Sequence, residues 1–190
     1  ALPAVAVGEI CNVPDAQRVA GLAALAGIPG RMEIINEGQD FGVMVDYAHE
    51  KTSMETLLNA ARGFVKKGKK IIVLLGAEGG GRDKAKRPAM GDLAGHLADY
   101  VIIANVDPYD DPPEEIIEDI ACAAEAAGKM REKNLFCIED RREGIRKALS
   151  LAAKGDLVLI TGKGAEKSMI IREKTIEWDD RLVVREELAG

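Results

Sequence analysis

From residue 70 onward the chain repeats one rhythm: a short apolar run, a polar or glycine-rich loop, then an amphipathic stretch. Ile71–Leu75, Tyr100–Ala104, Leu135–Ile138 and Leu157–Thr161 are too short and too continuously apolar for surface helices, so they read as buried strands. Between them, Ala89–Ala98, Pro113–Ala127 and Arg141–Ala153 carry apolar residues at helical spacing. Alternation of this kind predicts an α/β fold, a Rossmann-like and mostly parallel sheet with crossover helices on its faces. Upstream, Val43-Met44-Val45 reads as a further strand, followed by a helix over 52–65. Met32–Asn36 and Phe41–Val45 flank Glu37-Gly38-Gln39-Asp40 and predict an edge hairpin. Residues 169–172 and 175–178 predict a second hairpin, and Asp179-Asp180 a cap for a last short helix.

The first thirty residues differ. They read as two helices with no strand between them, closed by Gly27-Ile28-Pro29-Gly30, which places a boundary near residue 30. Two units follow, a helical segment 1–30 and an α/β domain 31–190, the latter long enough for one sizeable core. A net charge of −6 and only three Phe and three Tyr argue against nucleic acid as a partner. No run approaches the roughly 20 apolar residues of a membrane span, and the opening residues lack the basic start of a secretory signal. The expectation is a cytoplasmic monomer without a membrane partner. Cys11, Cys122 and Cys137 lie far apart among apolar neighbours, so buried free thiols are expected and no metal site.

The loop after the Ile71–Leu75 strand, Gly76-Ala77-Glu78-Gly79-Gly80-Gly81-Arg82, continues through Lys84, Lys86 and Arg87. It is not a nucleotide phosphate loop: neither lysine is followed by Ser or Thr, and the glycines do not fit a dinucleotide fingerprint. On the residues alone, a solvated basic loop and an anion-holding loop both stay open.

Four stretches in this order, "GIPGRMEI" (27–34), "VDYAH" (45–49), "GGGRDKAKRPAMG" (79–91) and "TGKGAE" (161–166), resemble the C-terminal domain of the Mur ligases. Within that family the similarity is to the ligases that add the third amino acid to UDP-N-acetylmuramoyl-L-alanyl-D-glutamate in peptidoglycan synthesis. It extends to "DDRLVVREEL" (179–188). The resemblance implies a three-domain enzyme in which residues 1–30 are the helical tail of a central ATPase domain. It also implies ATP and Mg2+ in the full-length enzyme, an acyl phosphate on the UDP-MurNAc-dipeptide, and attack by an amino acid held on the C-terminal domain. The isolated chain, without the central phosphate loop, is then expected to be inactive.

Carried over residue by residue, the resemblance makes Arg82 the partner of the amino acid's α-carboxylate, because a guanidinium offers two parallel donors. Gly162 and Glu166 correspond to contacts with its far end, and Arg31, Asp46 and His49 to positions facing the nucleotide. The bland counterparts stay open: Glu166 starting a turn, Asp46 capping the next helix, His49 an ordinary polar residue. Ala165 stands where the family commonly has histidine, and Lys51 where it has proline. His96 reads as surface. The Asp-Asn-Pro-Arg tetrapeptide of diaminopimelate-adding members falls on Val106-Asp107-Pro108-Tyr109, so the arginine is replaced by an uncharged ring. That disfavours diaminopimelate and favours lysine or another diamine, with Asp107 and Asp110 free to attract its ammonium. Asp111, three residues before Glu114 and followed by prolines, reads as a helix start and therefore structural. Two rivals remain, the matching domain of a folylpolyglutamate synthase and a non-catalytic Rossmann-like binding module.

Overall fold

A computed structural model describes residues 2–190; Ala1, first residue of the expected tail, lies outside them. The elements are α1 (Leu2–Ile10), α2 (Asp15–Ala23), β1 (Glu33–Ile35), β2 (Gly42–Asp46), α3 (Lys51–Phe64), β3 (Ile71–Leu75), α4 (Lys86–Leu97) and β4 (Tyr100–Ile103). They continue as α5 (Pro113–Ala126), β5 (Leu135–Cys137), α6 (Arg141–Ser150), β6 (Leu157–Thr161), β7 (Ser168–Ile171), β8 (Lys174–Glu177) and α7 (Asp180–Ala189). The six-stranded sheet runs β1-β2-β6-β3-β4-β5. Only β1 is antiparallel, paired through Ile34↔Met44; the other neighbours are parallel, with Met44↔Leu159, Val73↔Leu159 and Val73↔Val101 in register. The hairpin β7–β8 stands apart as its own small sheet.

Every residue of β3 and β6 is buried, as a continuous apolar run covered on both faces requires. Strand alternation divides the core in two. Ile71, Val73 and Leu75 face one side with Met54, Leu58 and Ala61 of α3, Met90 of α4 and Ile120 of α5. Ile72 and Leu74 face the other with Ile145 and Ala148 of α6 and Val183 and Val184 of α7. Helix α3 buries Met54, Leu57, Leu58 and Ala61, the spacing of one helical stripe, and its start is closed by a capping box between Glu50 and Ser53.

Four details depart from the sequence reading. Helix α4 starts at Lys86, three residues early, because Lys86 and Arg87 are buried in ion pairs that hold its first turn. Asp111 does not cap α5, whose N-cap is Pro112 with no side-chain cap bond; Asp111 instead accepts from Arg87 Nη2 at 3.1 Å. The thiols are not buried: Cys11 and Cys122 are exposed and Cys137 half-buried. Cys11 follows a helix that buries nothing, and Cys122 sits on the outward face of α5 beside the buried Ala121. Asp179 alone is the N-cap of α7, while Asp180 is inside the helix and fully buried.

Helices α1 and α2 bury no residue and leave Leu2, Val7, Ile10 and Val19 exposed. No helix of the described residues is long and apolar enough to cross a membrane.

Candidate functional site

Parallel strands end together, so the loops after β2, β3, β4 and β6 converge at one rim of the sheet, where open α/β folds hold ligands. Backbone contacts join them: Gly162 N–H donates to Asp46 O at 3.2 Å, and Gly79 N–H to Asp107 O at 2.8 Å. The glycine run is a consequence of this crowding. A Cβ on Gly79 would lie 2.0 Å from Pro108 O, and one on Gly80, at φ +62°, would lie 2.8 Å from the Tyr109 ring.

Only part of the loop's positive charge is available. Lys86 is buried against Glu50 (3.0 Å) and Glu78 (2.5 Å), and Arg87 is buried against Asp111 and Asp119. Burial pushes the Glu78 carboxyl up, but the Lys86 hydrogen bond and charge outweigh it and hold the group below the usual glutamate range. Arg82 differs. It is exposed, its Nη2 donates to the Tyr109 hydroxyl at 3.2 Å, and its guanidinium carbon lies 5.4 Å from that ring's centre. Among the described residues only Arg31, Arg82 and Arg172, of the arginines, have no carboxylate within ion-pair distance.

The loop after β6 carries a charge cluster that corrects the reading of Asp107. Lys163 is 1% exposed, and its ammonium lies 2.8 Å from Asp107 Oδ2 and 2.7 Å from Glu166 Oε2. Asp107 Oδ1 accepts from Ile170 N–H at 2.7 Å, so this carboxylate is not free for a ligand's ammonium. Its partner stands 56 residues away, which no local pattern reveals. Asp110 is exposed and has no ion pair among the described residues. Pro108 is buried, and Tyr109 takes the left-handed conformation, φ +52°, with its backbone joined to the β7–β8 turn by Arg172 N–H donating to Tyr109 O at 2.7 Å. A cleft of about 900 Å³ opens between residues 108–114 and that turn, with Tyr109, Asp110 and Arg172 in its wall.

The second group of expected residues gathers around Tyr47. Arg31 stacks over its ring, 4.2 Å from guanidinium carbon to centroid, and His49 meets the ring edge-on at 4.5 Å. His49 Nδ1 lies 2.8 Å from Tyr47 O. Asp46 Oδ1 accepts from Ala48 N–H and Oδ2 from Met32 N–H, both at 2.8 Å. It therefore ties β2 to the segment before β1 and does not cap α3. Tyr47 carries no signal in the sequence beyond membership of the same pentapeptide as Asp46 and His49. Gly162, at φ +107°, lets β6 turn into the Lys163–Glu166 loop against Val106. His96 is on the exposed face of α4 beside Asp92, as expected. The only carboxylate–thiol grouping with ligand spacing among the described residues, Glu118, Cys122 and Glu125, is exposed, and Arg131 already pairs both glutamates.

Among the described residues the rim thus presents Arg82 beside Tyr109 and Arg31 beside Tyr47, both without a carboxylate partner, with the unpaired Arg172 in the cleft wall and the Asp107–Lys163–Glu166 cluster reaching Tyr47 through Glu166. A guanidinium without a carboxylate partner is chemically suited to an anion, and Glu166, with its side chain 40% exposed, leaves a carboxylate partly open to solvent.

The sequence model of the Mur ligase, glutamate ligase domain, matches residues 30–164. The chain is similar, at 40% identity over 169 residues, to UDP-N-acetylmuramoyl-L-alanyl-D-glutamate--2,6-diaminopimelate ligase of Syntrophomonas wolfei, covering 89% of this chain and 33% of that protein. It is similar at 41% over 186 residues to UDP-N-acetylmuramyl-tripeptide synthetase of Treponema denticola, covering 97% and 34% respectively. Among solved structures, a UDP-N-acetylmuramoyl-L-alanyl-D-glutamate--2,6-diaminopimelate ligase superimposes with a TM-score of 0.73 at 30% identity, over 96% of this chain and 36% of that one. A bifunctional folylpolyglutamate synthase/dihydrofolate synthase from Yersinia pestis shares the fold alone, at 18% identity and a TM-score of 0.56 over 78% of this chain and 31% of that one. The chain spans about a third of the length of the curated relatives it matches.

Proposed function

This chain belongs to the family of the Mur ligase glutamate ligase domain, and from that we propose that it is the amino-acid-binding domain of an ATP-dependent amide ligase of peptidoglycan synthesis. The full-length enzyme joins an amino acid to UDP-N-acetylmuramoyl-L-alanyl-D-glutamate, with ATP and Mg2+ activating the acceptor carboxylate. The observation that carries this reading is Arg82: a guanidinium without a carboxylate partner among the described residues, on a crowded glycine loop at the carboxyl rim of a parallel sheet. A substrate α-carboxylate completes it, leaving the α-amine free to attack.

In this reading residues 1–30 are the helical tail of the preceding domain, which agrees with two helices that bury nothing and expose Leu2, Val7 and Ile10. Arg31 is read as meeting the nucleotide, and the support is a charge with no carboxylate partner among the described residues. Asp46 and His49 serve it differently from a direct ribose contact. Both Asp46 oxygens already accept backbone N–H groups, so they shape the turn that carries Arg31 and Tyr47. The 190-residue chain contains no Gly-x-x-x-x-Gly-Lys-Ser/Thr loop and on this reading does not ligate by itself.

For the amino acid, lysine or another diamine is favoured over diaminopimelate. Tyr109 offers no charge to a second carboxylate, and Asp110 and the outer oxygen edge of Glu166 remain to receive a side-chain ammonium. Asp107 contributes only by holding Lys163. The test is amino-acid-dependent phosphate release by the full-length protein. Arg82→Ala should raise the KM for the amino acid by about 30- to 150-fold, the loss of a bidentate contact worth about 2–3 kcal/mol. Unchanged kinetics would return Arg82 to a solvated loop, and wild-type preference for diaminopimelate over lysine would overturn the diamine reading alone.

A further inference from the structure

Tyr47 is half-buried at the rim and touches both the Lys163–Glu166 pair, through Glu166, and the Arg31 and His49 side chains. Its hydroxyl donates to Glu166 Oε1 at 3.0 Å, while the other carboxylate oxygen lies 2.7 Å from Lys163 Nζ. Its ring carries Arg31 over one face and forms a T-shaped pair with His49. Its Cβ lies 2.8 Å from where a side chain on Gly164 would begin, and Gly164 in turn packs directly on Gly30, where a Cβ would stand 2.1 Å from Ala165 N. The segment 30–31 and the loop 162–166 are therefore in backbone contact, with Tyr47 beneath both.

We propose that Tyr47 is a positioning residue for the amino-acid site. Its hydroxyl and Lys163 together hold the Glu166 carboxylate in one orientation, and its ring ties that orientation to Arg31 on the segment leading from the N-terminal helices. Glu166 has a side chain 40% exposed, and the Lys163 ammonium alone is a rotatable point charge that fixes distance but not orientation. A directional O–H donor on the second oxygen removes the remaining freedom and leaves the outward lone pairs aimed at the rim. The Tyr47 hydroxyl feels the same contact: burial first, then the Glu166 hydrogen bond and charge, push its pKa above the ordinary tyrosine value.

The inference rests on the reading of Glu166 as an amino-acid contact, and two measurements separate their fates. In the 190-residue chain, labelled-tyrosine NMR follows the phenol titrations of Tyr47, Tyr100 and Tyr109. Glu166→Gln should bring Tyr47 down toward the ordinary value; no movement means the contact is not made and overturns the proposal. In the full-length ligase, Tyr47→Phe keeps the ring under Arg31 and removes only the donor. It should raise the amino-acid KM about tenfold, the scale of one hydrogen bond to a charged acceptor, with kcat and the ATP KM unchanged. Added to Glu166→Gln it should change the KM by less than about twofold, because both act through one carboxylate. An unchanged KM, an equal rise in both backgrounds, or a fall in thermal stability alone would each overturn the positioning role. If Glu166→Gln itself leaves the amino-acid KM unmoved while the Tyr47 titration shifts, the site reading has failed and the contact is structural only.

Discussion

Two ion clusters meet the carboxyl end of β6 and differ in one respect. Arg141 and Asp180 are both fully buried, and all their contacts are internal. Arg141 Nε and Nη2 reach the two Asp180 oxygens at 2.8 and 2.7 Å, and its remaining reach goes to Asn105 O and Thr161 O at 3.1 and 2.8 Å. Trp178 Nε1 completes Asp180. This cluster clamps α7 onto the ends of β4 and β6 and has nothing left to offer a ligand. The Asp107–Lys163–Glu166 cluster has the same buried cation but ends in a carboxylate open to solvent. Closed charge holds a fold together; charge with one open valence can exchange a partner for a substrate.

Breaking the closed cluster should cost the most stability. Arg141→Met strands a buried carboxylate and should lower the unfolding free energy by about 3–5 kcal/mol in urea titration. A loss below about 1 kcal/mol would show that the buried pair does not hold α7 to the sheet. Next, Asp107→Asn keeps an acceptor for Ile170 N–H but removes the better-buried counter-charge of Lys163, with an expected loss of about 1–2 kcal/mol. A third test sits on the Lys86–Glu78 pair. The depressed Glu78 pKa contributes stability that is full above the unfolded value of 4.5 and disappears as pH falls through the lower folded value. Glu78→Gln should therefore flatten the stability curve below that pH, and an unaltered acid limb would show that the pair contributes nothing. The smallest effect belongs to Glu166→Gln, within about 0.5 kcal/mol of wild type, since a side chain 40% exposed loses little when neutralised. A large loss there would make both clusters structural.

Local pattern carried most of the fold. The buried strands β3 and β6 lie where the continuous apolar runs predicted, and β1–β2 and β7–β8 pair as hairpins about the expected turns. These follow from side-chain periodicity and turn chemistry, which act over a few residues. The glycine loop and the converging strand ends were legible for the same reason. The ownership of charge was not. Lys84, Lys86, Arg82 and Arg87 look alike in sequence, yet two are consumed by Glu50, Glu78, Asp111 and Asp119. Asp107 looked free and is paired with Lys163 across the sheet. Cys122 stands among alanines and is exposed, because one step around a helix separates the core face from water.

Strand and helix order, the parallel sheet and the loops at its carboxyl rim follow from the order of residues alone, because hydrophobic periodicity and glycine conformation are written residue by residue. Which arginines remain unpaired, the pairing of Asp107 with Lys163, and the bridge from Arg31 through Tyr47 to Glu166 arise only in the folded chain. An ion pair or a side-chain hydrogen bond is chosen by distance in space between residues with no fixed spacing along the chain, and that distance exists only after the strands have been laid side by side.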